Sequence, residues 1–225
     1  MNISLRIQTL IKHAKTRDST TYWDLCCDQA HIAESLATEL TNKQVIAVDV
    51  IEDIIEKAKN RLVQKYSYIP NENSFLIYST KCKVLLKNAK NINPNSGDTL
   101  ILAGIGGILC AEILQSLKKD LLSKNLFFIF CVPQQKQQLR KFLIENHFEL
   151  EAEELVTEND QFHEIMSGCF TNEIPKNPVT FFGKFWKNLP EHHHYYEKLY
   201  NHYSKNKSDK YNHELKLLKD IKFLD

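Results

Sequence analysis

Thr99-Leu100-Ile101-Leu102-Ala103-Gly104-Ile105-Gly106-Gly107-Ile108-Leu109 joins a short aliphatic run to three glycines in four residues and then to a second apolar segment. An apolar run of five residues that stops at Gly reads as a buried strand, and the segment beyond it has the spacing of a helix. The whole chain holds only six glycines, and four of them (Gly97, Gly104, Gly106, Gly107) fall within eleven residues. Glycine permits positive φ and close backbone approach, so the cluster marks a sharp strand-to-helix turn. In an open α/β sheet such turns, at the carboxyl ends of the strands, are where ligands bind; a plain tight turn is the simpler account of the same residues.

The same alternation extends in both directions. Apolar runs at 22–26, 45–48, 75–78, 99–103 and 126–132 alternate with segments of helical period at 30–40, 51–64, 81–88, 108–118 and 134–146. Five such units predict a mostly parallel, doubly wound α/β sheet. The runs at 148–156 and 162–170 are separated only by Glu158-Asn159-Asp160, and so short a link makes them antiparallel. The expected architecture is therefore Rossmann-like, seven strands ending in an antiparallel hairpin, and it occupies residues 1–171. Two prolines in 172–178 mark a linker. Beyond it, 191–203 and 208–224 predict a small helical hairpin, so that 179–225 forms a C-terminal helical extension.

Hydrophobic residues make up 43% of the chain and charged residues 25%, which excludes a disordered or fibrous habit. No run approaches the roughly 18 apolar residues of a membrane span, and 1–12 lacks the pattern of a secretory leader. A cytoplasmic protein without membrane contact, favoured as a monomer, is expected. The six cysteines (Cys26, Cys27, Cys82, Cys110, Cys131, Cys169) form no C-x-x-C pair and read as buried thiols in a reducing compartment. From Thr171 onward ten Lys stand against seven Asp or Glu, so the tail is +3 and the preceding body −2. That asymmetry fits a polyanionic partner, or an ordinary solvated helical surface.

The candidate ligand residues are acids at strand ends. The first strand leads into Asp24-Leu25-Cys26-Cys27-Asp28-Gln29-Ala30-His31 and the second ends in Ala47-Val48-Asp49-Val50. An acid at the second strand tip is where nucleoside-binding α/β folds hold ribose hydroxyls, which makes Asp49 the leading candidate; capping the following helix is its simpler role. Asp24 and Asp28 bracket the first loop, where a carboxylate suits a cationic amino group. No G-x-G-x-x-G is present, which argues against a dinucleotide, whose pyrophosphate needs close backbone approach there. His192-His193-His194 is not read as a metal site, because neighbouring helical residues diverge by about 100°.

Taken together, the first loop, Asp49, the run Ala103-Gly104-Ile105-Gly106-Gly107, Pro133-Gln134 with Leu139-Arg140-Lys141-Phe142-Leu143, and His163-Glu164-Ile165 resemble, in order and spacing, the bacterial tRNA adenine-22 N1-methyltransferases. The resemblance includes Leu5-Arg6-Ile7-Gln8-Thr9-Leu10 and the helical tail, and so covers nearly the whole chain. There are departures. A glycine of the family's first loop is Cys26 here and its histidine is Gln29; the third loop, glycine-rich in the family, is matched to Ser79-Thr80-Lys81-Cys82; Gln-Pro-Asn after the fifth strand is Val132-Pro133-Gln134.

The resemblance implies a class I fold and S-adenosyl-L-methionine as cofactor, held by Asp24, Cys26, Asp28, Asp49, Val50, Thr80, Ala103, Gly104 and Gly106. It implies methyl transfer to N1 of an adenine in tRNA. Since the ring nitrogen already carries a lone pair, positioning and desolvation matter more than a strong base. The base would leave its pairing to enter the site, with Gln134 reading its edge, Ile105 and Pro133 forming an apolar wall, and His31 or Asp28 accepting the proton lost from the exocyclic amine. In the tail, Lys184, Trp186, Lys187, residues 192–194 and residues 205–210 would meet phosphates and stack on bases, or else pack the extension onto the body. A non-catalytic RNA-binding relative, and a class I methyltransferase with another substrate, are the competing expectations.

Overall fold

A computed structural model of the chain describes residues 3–186, 189–205 and 212–219. Its elements, in order, are α1 (Leu5–Ala14), β1 (Thr21–Leu25), α2 (His31–Glu39), β2 (Gln44–Asp49), α3 (Glu52–Val63), β3 (Ser67–Ile69), β4 (Ser74–Ile77), β5 (Thr80–Leu86), β6 (Thr99–Ala103), α4 (Gly107–Ser116), α5 (Lys118–Ser123), β7 (Phe127–Cys131), α6 (Lys136–Glu145), β8 (Phe148–Glu158), β9 (Gln161–Phe170), α7 (His193–Lys205) and α8 (Asn212–Lys219). The strands form one sheet in the order β3-β4-β5-β2-β1-β6-β7-β9-β8. Its centre, β5-β2-β1-β6-β7, is parallel. β9 joins β7 antiparallel and pairs with β8, which is the class I methyltransferase arrangement with an additional β3-β4 hairpin on one edge.

Alternation along the central strands builds a core on each face. From β2, Val45 and Ala47 join the layer under α1, α2 and α3, while Ile46 and Val48 join the layer under α4, α5 and α6. Along β7, Phe127, Ile129 and Cys131 face the first layer, and Phe128 and Phe130 the second. Runs that are apolar at every position, as here, are those of strands covered on both sides. Turn chemistry agrees: Asn159 and Asp160, between β8 and β9, have φ of 50° and 59°, the mirror-image turn that suits the twist of a two-residue hairpin.

Three expectations are corrected. The sheet has nine strands rather than seven. The segment 81–88, predicted as a helix, is mostly strand β5, which pairs parallel with β2. Its burial alternates, with Thr80, Cys82 and Val84 inside, because Lys81 and Lys83 point away from the core. The run at 75–78, predicted as the third parallel strand, is β4, antiparallel to β5. No helix among the described residues is long and apolar enough to cross a membrane.

The extension packs on the body through a third cluster in which Leu155 of β8 meets Phe182, Trp186, Tyr195, Tyr196, Tyr203 and Leu218. Beneath it lies a buried ionic hub. Arg140 of α6 donates to Glu164 of β9 at 3.0 Å and to Glu153 of β8 at 2.5 Å, and to the Thr180 carbonyl at 2.8 Å. Glu153 also accepts the backbone N–H groups of Lys184 and Phe185, and Tyr195 donates to Glu164. Burial alone would raise the Glu164 pKa, but Arg140 and Lys136 hold it down at about 2. Of the two expectations for Trp186, stacking on bases or packing the extension onto the body, its burial fits the second; Lys187 and residues 206–210 lie outside the described residues.

Candidate active site

A cavity of about 680 Å³ opens at the carboxyl ends of β1, β2 and β6, a size within the usual range of small-ligand sites. Asp24, Cys26 and Asp28 enter it from the first loop, Asp49 and Val50 from the second, Ala103, Gly104 and Ile105 from the glycine turn, and His31 from the start of α2. The space is open. Cys26 and Cys27 form part of the wall, and Lys81 stands at the far end of β5, bonded to Glu72.

Its chemistry is set by three acids. Asp24 is buried, with 1% exposure; its Oδ2 accepts the Ala33 N–H at 3.0 Å, while Oδ1 has no hydrogen-bond partner. Burial, opposed by that one N–H and reinforced by Asp49 and Asp28, pushes its pKa up to about 7. Asp49 accepts from the Ile51 N–H at 3.1 Å and from the Asp28 N–H at 3.4 Å. It therefore orders both loops but does not cap α3, whose first turn follows Ile51. Three carboxylates around one cavity, one with an orphaned oxygen, suit a ligand that brings positive charge and hydroxyl or ammonium donors. Beside them Val50, Ile51 and Leu109 remain 64%, 52% and 40% exposed, an apolar rim that a flat aromatic ring would cover. His31 is held below its ordinary pKa, first by partial burial and then by Arg61, which favours the neutral imidazole, the form able to accept a proton.

The first loop is a left-handed device made without glycine. Cys26, Asp28 and Ala30 have φ of 60°, 49° and 57°, a conformation that costs most side chains roughly 1–2 kcal/mol. Such clustered strain is typical of ligand-holding loops. In the glycine turn the residues divide by task. Gly104, with φ of 81°, turns the chain at the cavity. Gly107 backs onto the loop after β7: a Cβ there would stand 2.0 Å from the Gln135 carbonyl oxygen, and its N–H donates to Gln134 O at 2.9 Å.

Four of the expected site residues lie off the cavity wall. Gly106 faces the Gln135 side chain, whose Oε1 would be 2.7 Å from an added Cβ. Pro133 and Gln134 are exposed on the same edge of the sheet, just past β7. Thr80 is at the opposite end: it begins β5, and its hydroxyl donates to the Leu40 carbonyl. It was placed by treating β4 as the third parallel strand; the true third tip is Leu86, level with Asp49. Conversely, Ser4, Arg6 and Ile7, at the start of the N-terminal helix, line the cavity; the resemblance takes in this helix but gives its residues no place in the site. α1 is fastened there by the Leu5 N–H to Glu158 at 2.8 Å and by His13, which bridges Ser167 at 2.7 Å and Glu154 at 2.9 Å.

Comparison with known proteins agrees with this geometry. Residues 3–166 match the methyltransferase domain family. Among solved structures, Sp1610 of Streptococcus pneumoniae in complex with S-adenosyl-L-methionine superposes with a TM-score of 0.72 at 20% identity, over 97% of this chain and 95% of that one. M. capricolum TrmK in complex with S-adenosyl-homocysteine gives 0.69 at 17%, over 98% and 94%. The M1A22 tRNA methyltransferase TrmK of B. subtilis gives 0.67 at 17%, over 97% and 95%. No curated protein sequence matches. With its nine-stranded sheet, its acid-lined cavity and a family match over most of its length, the chain belongs to the methyltransferase domain family.

Proposed function

We propose that the protein is an S-adenosylmethionine-dependent methyltransferase that modifies N1 of an adenine in tRNA. The observation that carries this reading is the convergence of Asp24, Asp28 and Asp49 on one cavity, together with the Asp24 oxygen left without a hydrogen-bond partner. When bound, S-adenosylmethionine supplies a methyl group activated by a sulfonium charge. Asp49 holds ribose hydroxyls, Val50 and Ile51 cover the purine of the cofactor, and Asp24 with Asp28 balances the positive charge of its amino acid end. Cys26 and the Ala103-Gly104 backbone close the remaining sides.

The substrate adenine needs no strong base to expose its N1 lone pair, so the chain's work is placement and exclusion of water. Ile105 provides an apolar contact inside the cavity, and Pro133 with Gln134 stands outside it on the same edge of the sheet, where an amide reads the Watson–Crick edge of an extruded base. Neutral His31, or Asp28, takes the proton lost from the exocyclic amine. We take residues 1–171 as the unit that binds cofactor and base, and 179–225 as an extension that contacts the rest of the RNA.

Calorimetry with S-adenosylmethionine and a methylation assay on bulk tRNA test this together. Asp49→Ala is expected to weaken cofactor binding by at least about 100-fold, the loss of two charge-assisted hydrogen bonds. Gln134→Ala should bind cofactor normally and turn over at least about tenfold more slowly. The opposite pattern refutes the assignment. Cofactor binding without any methylation of tRNA, combined with methylation of ribonuclease-treated cell extract, would move the substrate to another class of molecule.

A further inference from the structure

Charge inside the cavity is divided by side. The three carboxylates stand over the tips of β1 and β2, whereas the one Lys or Arg on the wall among the described residues is Arg6, which comes from α1. Arg6 lies beside the β8-β9 hairpin, since the neighbouring Leu5 N–H donates to Glu158 at the end of β8, and its charge acts on Cys131 at the end of β7 and on His163 near the start of β9. β7 is three strands from β2, so at about 4.8 Å per strand the basic side is roughly 14 Å from Asp49.

Arg6 is half-buried, and none of the ion pairs among the described residues includes it. The nearby acids are committed elsewhere. Glu158 accepts the Leu5 N–H, and Glu164 is paired with Arg140 at 2.6 Å and with Lys136 at 3.4 Å. A half-buried guanidinium on a cavity wall, with no ion-pair partner among the described residues, suits an anionic ligand, and its planar fork matches a phosphate in bidentate fashion. Because α1 is fastened to β8 and β9 on both sides of this residue, at Leu5 and at His13, the backbone that carries Arg6 is positioned at the cavity before any ligand enters.

We infer that Arg6 receives a backbone phosphate of the nucleotide whose base enters the cavity. The inference rests on the proposed function and deepens it: the acids serve the cationic cofactor, the arginine serves the anionic substrate, and the substrate is a nucleotide in a phosphodiester chain rather than a free base or a protein side chain. Arg6 is a binding residue for the substrate and not for the methyl donor.

The test measures binding of an unmodified tRNA transcript to the full chain between about 50 and 200 mM salt, alongside calorimetry with S-adenosylhomocysteine. Arg6→Gln is expected to weaken tRNA binding by about tenfold and to reduce the slope of log affinity against log salt by about 1. It should leave the affinity for S-adenosylhomocysteine within about twofold and the thermal midpoint unchanged; Arg6→Lys should restore the slope, since one positive charge releases the same counterion. A fall in S-adenosylhomocysteine affinity would overturn the inference by assigning the guanidinium to the carboxylate of the cofactor, and an unchanged salt slope would overturn it outright. Absence of tRNA affinity in the unaltered protein would remove the proposed substrate itself, a result distinct from any confined to the Arg6 variants.

Discussion

Asp24 shows how one side chain couples folding, pH and ligand. Its folded pKa of about 7 lies above the ordinary carboxylate value, so the folded state holds a proton that the unfolded chain releases near pH 4. The stability associated with that proton is present below pH 4 and is lost as pH rises through 7. Asp24→Asn should therefore stabilise the free protein at pH 8 and make little difference at pH 4, as urea titrations at the two values would show. A cationic ligand favours the ionised form, so S-adenosylmethionine, with its sulfonium charge, should bind more tightly at pH 8 than at pH 6 and release protons on binding, measurable by calorimetry in buffers of different ionisation enthalpy. Cys26 makes a second case. It holds a left-handed conformation with φ of 60°, so Cys26→Gly should gain about 0.5–1 kcal/mol, the strain relieved less the extra entropy of the unfolded chain. At Gly107 the direction reverses, because Ala would drive a Cβ into the Gln135 carbonyl; a loss of about 2–3 kcal/mol is expected. The acids were legible in the sequence because each lies at or just beyond the end of a recognisable strand. Arg6 was not, since only the tertiary docking of α1 brings it to the cavity, and Gln135 was obscured by its own left-handed turn, with φ of 57°.

Among the elements, β1, β2, β6, β7 and the β8-β9 hairpin could be read directly, because uninterrupted apolar runs and a two-residue turn have few other solutions. β5 could not. Thr-Lys-Cys-Lys-Val-Leu-Leu alternates with period two, yet Lys and Leu are also good helix formers, and burial rather than propensity settles the matter. That single confusion moved the third loop by about one strand length and carried Thr80 to the wrong end of the sheet. The hub around Arg140 joins α6, β8, β9 and the start of the extension through groups that the sequence disperses over some forty residues. Breaking a buried pair from one side leaves its partners uncompensated, typically at about 3–5 kcal/mol. Arg140→Ala should therefore lower the thermal midpoint sharply and loosen the extension, so that limited proteolysis cuts near Thr180 before the sheet is attacked. Equal resistance of variant and parent would contradict that coupling.

At the scale of the molecule, the sheet sets the order of events. Parallel strands put every ligand-facing loop on one edge, the acids gather where β1 and β2 end, and the hairpin with α1 brings an arginine to the other side of the same opening. The extension adds a surface whose exposed residues include Lys198, Lys205, Lys216 and Lys219, alongside aromatics that are mostly interior; its contribution to RNA binding is therefore expected to be electrostatic and salt-sensitive rather than stacking. The central claim is that this opening places a methyl donor against an extruded adenine. Mass spectrometry of nucleosides from tRNA incubated with the protein and methyl-labelled S-adenosylmethionine tests it most directly: labelled 1-methyladenosine is the predicted product, and tRNA without label, or label confined to any other nucleoside, would contradict the account.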